Sequence, residues 1–300
     1  MCKGVTKYME EECKNCDLNQ VKKVCSILSL DEKTQMTLYK KVKSYLKNVD
    51  MKRTNPEVMG CIWEIITKVV KEDDPYLHIK EYYNNELGKI LPDVINMINS
   101  ENDKFNTALK IAISGNLIDF AAKHKFDIDM LKAQIKDITE KSFAIDNSQE
   151  MLEELRKAHT LLYIGDNCGE VVLDKVFIDV IKEVCPDLTV YYGVRGKPIV
   201  NDVTIDDAVM VGMNNSAIII SNGDISLGTV IERTSNDFKM IYDKADIVMC
   251  KGQGNYEGLL KSRKDNLFFL FMAKCRIVAE PLGIPVMSIV CLKNRVDFIR

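Results

Sequence analysis

Three short polar stretches carry the residue types of this chain that can do chemistry. In the first, Leu161-Leu162-Tyr163-Ile164-Gly165-Asp166-Asn167-Cys168-Gly169-Glu170, an apolar run stops at a glycine and a carboxylate and an amide follow side by side. A helix-periodic run, Val171 to Ile178, starts directly after. The second stretch, Arg195-Gly196-Lys197-Pro198 through Asn201-Asp202, also follows a β-branched run. If the two runs are neighbouring parallel strands, Asp166, Asn167 and Asp202 meet at adjacent strand ends. Two carboxylates and an amide oxygen make a donor set for a hard divalent cation such as Mg²⁺ or Mn²⁺, with positions left for water and substrate. The same residues also suit a helix cap at Asp166 and simple turns at Asn167 and Asp202, so the pattern alone leaves both readings open.

The third stretch is Cys250-Lys251-Gly252-Gln253-Gly254-Asn255-Tyr256-Glu257-Gly258. Its glycines let backbone approach a ligand, the helix that follows offers unpaired N–H groups, and Lys251 adds positive charge, a combination that favours phosphate. The spacing of Gly252, Gly254 and Gly258 imitates a dinucleotide fingerprint but fails twice. The third glycine is one residue late, and no acidic residue ends the next strand at Met272-Ala273-Lys274.

Weaker signals lie elsewhere. Ser221-Asn222-Gly223-Asp224 to Gly228-Thr229 reads as a turn and cap. Asn116 and Asp119, three apart after Ser114-Gly115, share a helix face and can reach towards a metal or substrate, although a plain cap at Asn116 is the simpler reading. Cys13-Lys14-Asn15-Cys16 lacks the second cysteine pair that a structural zinc needs, so a reduced pair in a helix-start turn is favoured. His78, His124 and His159 show no H-x-x-x-H spacing and no nucleophile elbow is present, which leaves acyl transfer without support.

The elements that must position these groups fall into two halves. From Val21 to about Leu155 apolar residues recur at helical spacing, as in Val42, Tyr45, Leu46 and Val49, which predicts an all-helical domain over residues 1–155. Asn55-Pro56 suits a helix start, and a further helix is expected from Leu77 to Ile98, broken or kinked at Pro92. From Thr160 short strands alternate with helices: 161–165, 188–194, 217–221, 246–250, 266–272 and 286–291. This predicts an α/β domain over residues 156–300 with a mostly parallel, doubly wound sheet. No Gly/Ser/Pro-rich linker separates the halves, so they should pack directly with the site between them.

Composition narrows the classes of function. With 41 Lys plus Arg against 44 Asp plus Glu, the formal charge of −3 leaves no basic stripe for nucleic acid. The longest purely apolar run, Leu267 to Ala273, is too short to span a bilayer, and a cytoplasmic protein with reduced thiols is expected. Cys185, Cys250, Cys275 and Cys291 stand in apolar runs where a thiol acts as a small hydrophobe.

Taken in order, Gly165-Asp166-Asn167-Cys168-Gly169-Glu170, Arg195-Gly196-Lys197-Pro198-Ile199-Val200-Asn201-Asp202-Val203-Thr204 and Lys251-Gly252-Gln253-Gly254-Asn255-Tyr256-Glu257 resemble the metal-dependent damage-control phosphatase family, formerly a domain of unknown function. Asp74-Pro75-Tyr76 with Lys80, Gly115-Asn116 with Asp119, and Cys13-x-x-Cys16 with Gln20 look like the family's amino-terminal features, the cysteine pair pointing to one of its branches. The resemblance implies a helical part on a Rossmann-like α/β/α core. It implies a divalent cation (Mn²⁺, Mg²⁺, Co²⁺ or Ni²⁺) held by Asp166, Asn167 and Asp202, with Asn116, Asp119, Arg195, Lys251 and Asn255 lining the site.

The expected function is therefore a phosphatase of small phosphorylated metabolites. Asp166 or Glu170 would be the base, while Lys251, Arg195 and the backbone from Gly252 to Gly254 offset phosphoryl charge. An aspartyl nucleophile of the haloacid-dehalogenase type is disfavoured, because Asn167 and Cys168 stand where D-x-D is required. Two alternatives are an S-adenosylmethionine-dependent protein carboxylate methyltransferase and a phospho-ligand binder without turnover. The oligomeric state is left open.

Overall fold

The computed structural model describes residues 9–114 and 128–295. Asn116 and Asp119 lie outside them.

The chain begins with a helical cluster. Helices α1 (Glu11–Ile27), α2 (Glu32–Lys47) and α3 (Asn55–Val70) pack around the fully buried Trp63, with Val24, Leu38, Val42 and Ile62. Local chemistry sets their ends. The Asp31 carboxylate accepts from the Thr34 N–H ahead of α2, and Thr54 with Glu57 forms a capping box before the Asn55-Pro56 start of α3. Helices α4 (Leu77–Ser100), α5 (Lys104–Ser114) and α6 (Ile128–Glu140) follow. Of the break or kink expected at Pro92, the break is absent, since α4 continues through it. The residue four places earlier, whose carbonyl the proline ring crowds, is Gly88, which has backbone freedom to give way.

The rest is a seven-stranded sheet wrapped by helices. In chain order it comprises β1 (Ile145–Asp146), α7 (Ser148–Leu155), β2 (Thr160–Ile164), α8 (Glu170–Val184), β3 (Thr189–Val194), α9 (Ile205–Met210) and β4 (Ile218–Ser221). It continues with α10 (Asn236–Lys244), β5 (Ile247–Lys251), α11 (Gly252–Leu259), β6 (Leu267–Met272), α12 (Arg276–Leu282) and β7 (Ile289–Lys293). Strand order is β1-β7-β6-β5-β2-β3-β4, with every pairing parallel except β6 with β7. The six strands expected from sequence all form. Strand β1 is the addition: two residues from the otherwise helical half pair with β7, a segment too short to show a period-2 signal.

Alternation along the strands divides the core between the two faces. Leu161, Tyr163, Val190, Tyr192, Met249 and Leu270 face α4, α5 and α8. Leu162, Ile164, Val248, Cys250, Phe269 and Phe271 face α10, α11 and α12. The helical half thus covers part of the sheet directly. No helix among the described residues is long and apolar enough to cross a membrane, and the described cysteines are free thiols.

One contact between the halves carries buried acid. Asp17 of α1 is 2% exposed, and its Oδ2 has no hydrogen-bond partner. Burial, then the charge of Glu257 on α11, pushes its carboxyl up to about 7. Burial likewise pushes Glu257 to about 7, against the hydrogen bond from Gln253. A raised carboxyl binds its proton more tightly in the folded state, so its contribution to stability is present at acidic pH and lost as pH rises towards 7. Calorimetry on wild type and Asp17→Asn between pH 5 and 8 checks this. The variant is expected to be more stable at pH 8 by about 1 to 3 kcal/mol and to lose less stability across the range; parallel curves would contradict the assignment.

Candidate active site

Backbone hydrogen bonds bring the first two polar stretches together. Beyond the end of β2, Gly165 N–H donates to the Gly193 carbonyl at 2.9 Å, Val203 N–H to that of Asp166 at 2.9 Å and Cys168 N–H to that of Asn201 at 2.8 Å. An isolated antiparallel bridge pairs Asn167 with Asp202. Arg195 N–H, donating to the Val203 carbonyl at 2.9 Å, closes the second loop on itself. That closure holds Val200 at φ 48°, a left-handed conformation that a β-branched residue rarely adopts.

Arg195 stands among the carboxylates, 1% exposed. Its Nε donates to Asp202 Oδ2 at 2.6 Å and its Nη1 to Thr229 Oγ1 at 3.1 Å. Its Nη2 lies 3.7 Å from Asp166 Oδ1 and has no hydrogen-bond partner. Asn167 Nδ2 donates to Asp166 Oδ2 at 2.8 Å and to Glu170 Oε1 at 2.7 Å. With both amide hydrogens so engaged, Oδ1 is the atom Asn167 presents to a further partner.

A second charged layer lies beneath. Lys251 Nζ is fully buried and donates to Asp174 Oδ1 at 2.6 Å, the Ala112 carbonyl at 2.6 Å and Glu170 Oε2 at 3.3 Å. Tyr163 and Tyr192 donate their hydroxyls to the two oxygens of Asp174 at 2.8 and 3.0 Å. Burial pulls Lys251 down, but Asp174 and Glu170 outweigh it and hold the ammonium protonated. Burial pushes Glu170 and Asp202 up to about 7 and also raises Asp166, with Lys251 opposing it at Glu170 and Arg195 at the two aspartates. Lys274, exposed at the end of β6, acts on all three carboxylates in the same lowering sense.

The structure therefore brings together Asp166, Asn167, Glu170, Arg195 and Asp202. It places other expected site residues differently. Lys251 points its ammonium inward, onto Glu170 and Asp174. Asn255, fully buried, braces backbone: its Nδ2 donates to the carbonyls of Gly165 at 3.0 Å and Lys251 at 2.6 Å, and its Oδ1 accepts from Thr229 Oγ1 at 2.8 Å. Gly254 faces protein backbone, because a Cβ there would stand 2.5 Å from the Leu227 carbonyl oxygen.

Sequence reasoning passed over Lys274, Thr229 and Asp174. Lys274 had a signal, its place directly after an apolar strand. Thr229 had one too, since it closes the Gly-bearing stretch read above as a turn and cap; Asp174 had none, since it looks like an ordinary helix residue.

The donor set suits a hard cation. Among the described residues no three His, Cys, Asp or Glu side chains gather to hold a metal ion. The Asp166-Asn167-Asp202 trio contains two carboxylates and completes its set with an amide oxygen, a chemistry that fits Mg²⁺ or Mn²⁺ with water and substrate in the remaining positions. Cys13 is partly buried and Cys16 exposed on α1, both with thiols raised chiefly by burial.

Residues 9–290 match the family described as the damage-control phosphatase ARMT1-like domain. A damage-control phosphatase of Pyrococcus horikoshii is 31% identical over 96% of this chain and 98% of its own length. One of Archaeoglobus fulgidus is 27% identical over 91% and 95%. The crystal structure of a DUF89 family protein from Pyrococcus horikoshii has a TM-score of 0.88 at 29% identity, covering 96% of this chain and 99% of that one.

Gly252 offers a direct check on the packing around Asp166. It holds φ 80°, and a Cβ there would lie 2.0 Å from Asp166 Oδ2. Gly252→Ala is expected to displace the Asp166 carboxylate and destabilise the fold by about 1 to 3 kcal/mol, measured by denaturant unfolding. Unchanged stability would mean that the loop has room which this geometry denies it.

Proposed function

This chain belongs to the damage-control phosphatase ARMT1-like family, and on that premise we propose that it is a divalent-cation-dependent phosphatase of small phosphorylated metabolites, either sugar phosphates or damaged phospho-metabolites. The observation that carries the reading is the Asn167–Asp202 bridge, which sets Asp166, Asn167 and Asp202 beside one another at the carboxyl ends of β2 and β3. Asp166, the Asn167 amide oxygen and Asp202 would hold the cation. Bound there, it supplies Lewis-acid polarisation of a phosphoryl oxygen and a water of lowered pKa.

The protein's own groups do the rest. Arg195 keeps Asp202 in place through Nε and offsets negative charge beside Asp166 through Nη2. Asp166, 8% exposed against 2% for Asp202 and 0% for Glu170, is the least enclosed carboxylate and so the one to take a proton from the attacking water. Glu170 fixes the Asn167 amide, and Lys251 holds Glu170 from behind. Lys274, exposed and close enough to influence all three carboxylates, supplies the positive charge that draws in a phosphate dianion.

The test is phosphate release from p-nitrophenyl phosphate and a panel of sugar phosphates with Mn²⁺, Mg²⁺, Co²⁺ or Ni²⁺. Chelation is expected to abolish turnover, and Asp166→Ala and Asp202→Ala to lower kcat/KM by roughly 10²-fold or more. Lys274→Ala is expected to raise KM about tenfold with a smaller change in kcat. Equal activity in wild type and both aspartate variants would sink the site assignment. Binding of S-adenosylmethionine by calorimetry, without phosphate release, would favour group transfer instead.

A further inference from the structure

Helix α4 touches both loops of the candidate site from the opposite half of the chain. Lys80 and Asn84, one turn apart, lie on one face of it. Lys80, 1% exposed, sets its Nζ 2.6 Å from Asp74 Oδ2 and donates to Asp207 Oδ2 at 2.8 Å. That oxygen of Asp207 also accepts from the Thr204 N–H at 2.9 Å and the Thr204 hydroxyl at 2.7 Å, the capping box that starts α9. Thr204 is two residues from Asp202, and Val203 between them is bonded to the Asp166 carbonyl. Lys80 is thus anchored to the loop that carries Asp202.

One turn later, Asn84 Oδ1 accepts from the Gly169 N–H at 2.5 Å. Gly169 sits at φ 81° immediately before Glu170, where the first loop becomes α8. The other end of the same amide, Nδ2, faces Met210 Sδ at 4.0 Å, at the last turn of α9. One side chain therefore spans from the first loop to the helix behind the second. Cys168 fills the space between the loops, its Sγ 3.9 Å from the Asp202 carbonyl oxygen.

We propose that Lys80 and Asn84 are positioning residues, through which α4 sets the spacing and register of the loop bearing Asp166 and Asn167 against the loop bearing Asp202. A buried ammonium is tolerated only with its carboxylates in place, so the Asp74-Lys80-Asp207 set admits one arrangement of α9 relative to α4. The Asn84 acceptor is equally restrictive, because the Gly169 N–H belongs to a helix start that no residue of α8 can satisfy. Asn84 also borders a cleft of about 700 Å³ between α4 and Met210, so shortening it opens no sealed void in the core.

The proposal rests on reading the two loops as a cation site, and its test separates the two ideas. Hydrogen exchange is measured on the metal-free protein over residues 166–172 and 202–208, for wild type, Asn84→Ala, Asn84→Asp, Lys80→Met and Lys80→Arg. Mn²⁺ titration and steady-state kinetics accompany it. Asn84→Ala is expected to speed exchange selectively at 166–172 and Lys80→Met at 202–208. Each should weaken Mn²⁺ by roughly 10- to 100-fold and lower kcat more than it raises KM. Asn84→Asp, which keeps the acceptor, and Lys80→Arg, which keeps the charge, are expected to restore protection. Unchanged exchange in both segments overturns the proposal. So does a uniform rise over the whole sheet with Mn²⁺ affinity intact, the mark of general destabilisation. If Lys80→Met does not fold, the Asn84 pair decides. If wild type binds no Mn²⁺, the cation reading falls and the exchange data alone judge the positioning.

Discussion

The site is built over charge that has been taken out of water. Lys251, Glu170 and Asp174 are all fully buried, and the ammonium that joins the two carboxylates also reaches the Ala112 carbonyl on α5. Removing one partner from such a cluster strands the others and costs about 3 to 5 kcal/mol. The cluster can close only when β5, α8 and α5 are all in place, so the floor of the site is finished by the docking of the helical half. Glu170 in turn holds Asn167, and the upper layer inherits its order from the lower one.

Above that floor, Arg195 does for Asp166 and Asp202 what Lys251 does for Glu170 and Asp174. It brings one fixed positive charge to a place where two carboxylates meet, and it is itself tied down through Thr229 and then Asn255. A short chain of buried polar groups therefore connects the loop after β3 to the helix after β5. Each group in it has a partner that it cannot exchange for water, and this is how three separate strand ends come to share one geometry.

Glycines let these segments approach so closely. The spacing of Gly252, Gly254 and Gly258 resembles a nucleotide loop, yet Gly254 and Gly258 are filled by the carbonyls of Leu227 and Thr229, and Gly252 makes room for the Asp166 carboxylate. The same property that would admit a phosphate, absence of a Cβ, is used here to bring one loop against another. A glycine pattern reports close approach and leaves open what approaches.

Much of this architecture was legible in the residues themselves. Six strands stood out because they are short, apolar and flanked by turn residues, and the polar pairs at Asp166-Asn167 and Asn201-Asp202 fell at strand ends, where a parallel sheet gathers its chemistry. The resemblance of the three motifs, in order, to those of a phosphatase family implies a cation and a phosphate there, the reading taken up in the proposed function. What sequence could not show was direction and partnership. Lys251 at the end of β5 and Asn255 in the first turn of α11 turn inward to satisfy buried groups, while Lys274, one strand further along, is left facing solvent. Asp174 is one more helical carboxylate until two tyrosines from β2 and β3 and a lysine from β5 close on it. Local pattern settles where chain segments begin and end, since propensity and periodicity act over a few residues; which side chain meets which, over 77 residues for Lys251 and Asp174 and 127 for Lys80 and Asp207, is decided only when the halves pack and every buried charge must find its counterpart.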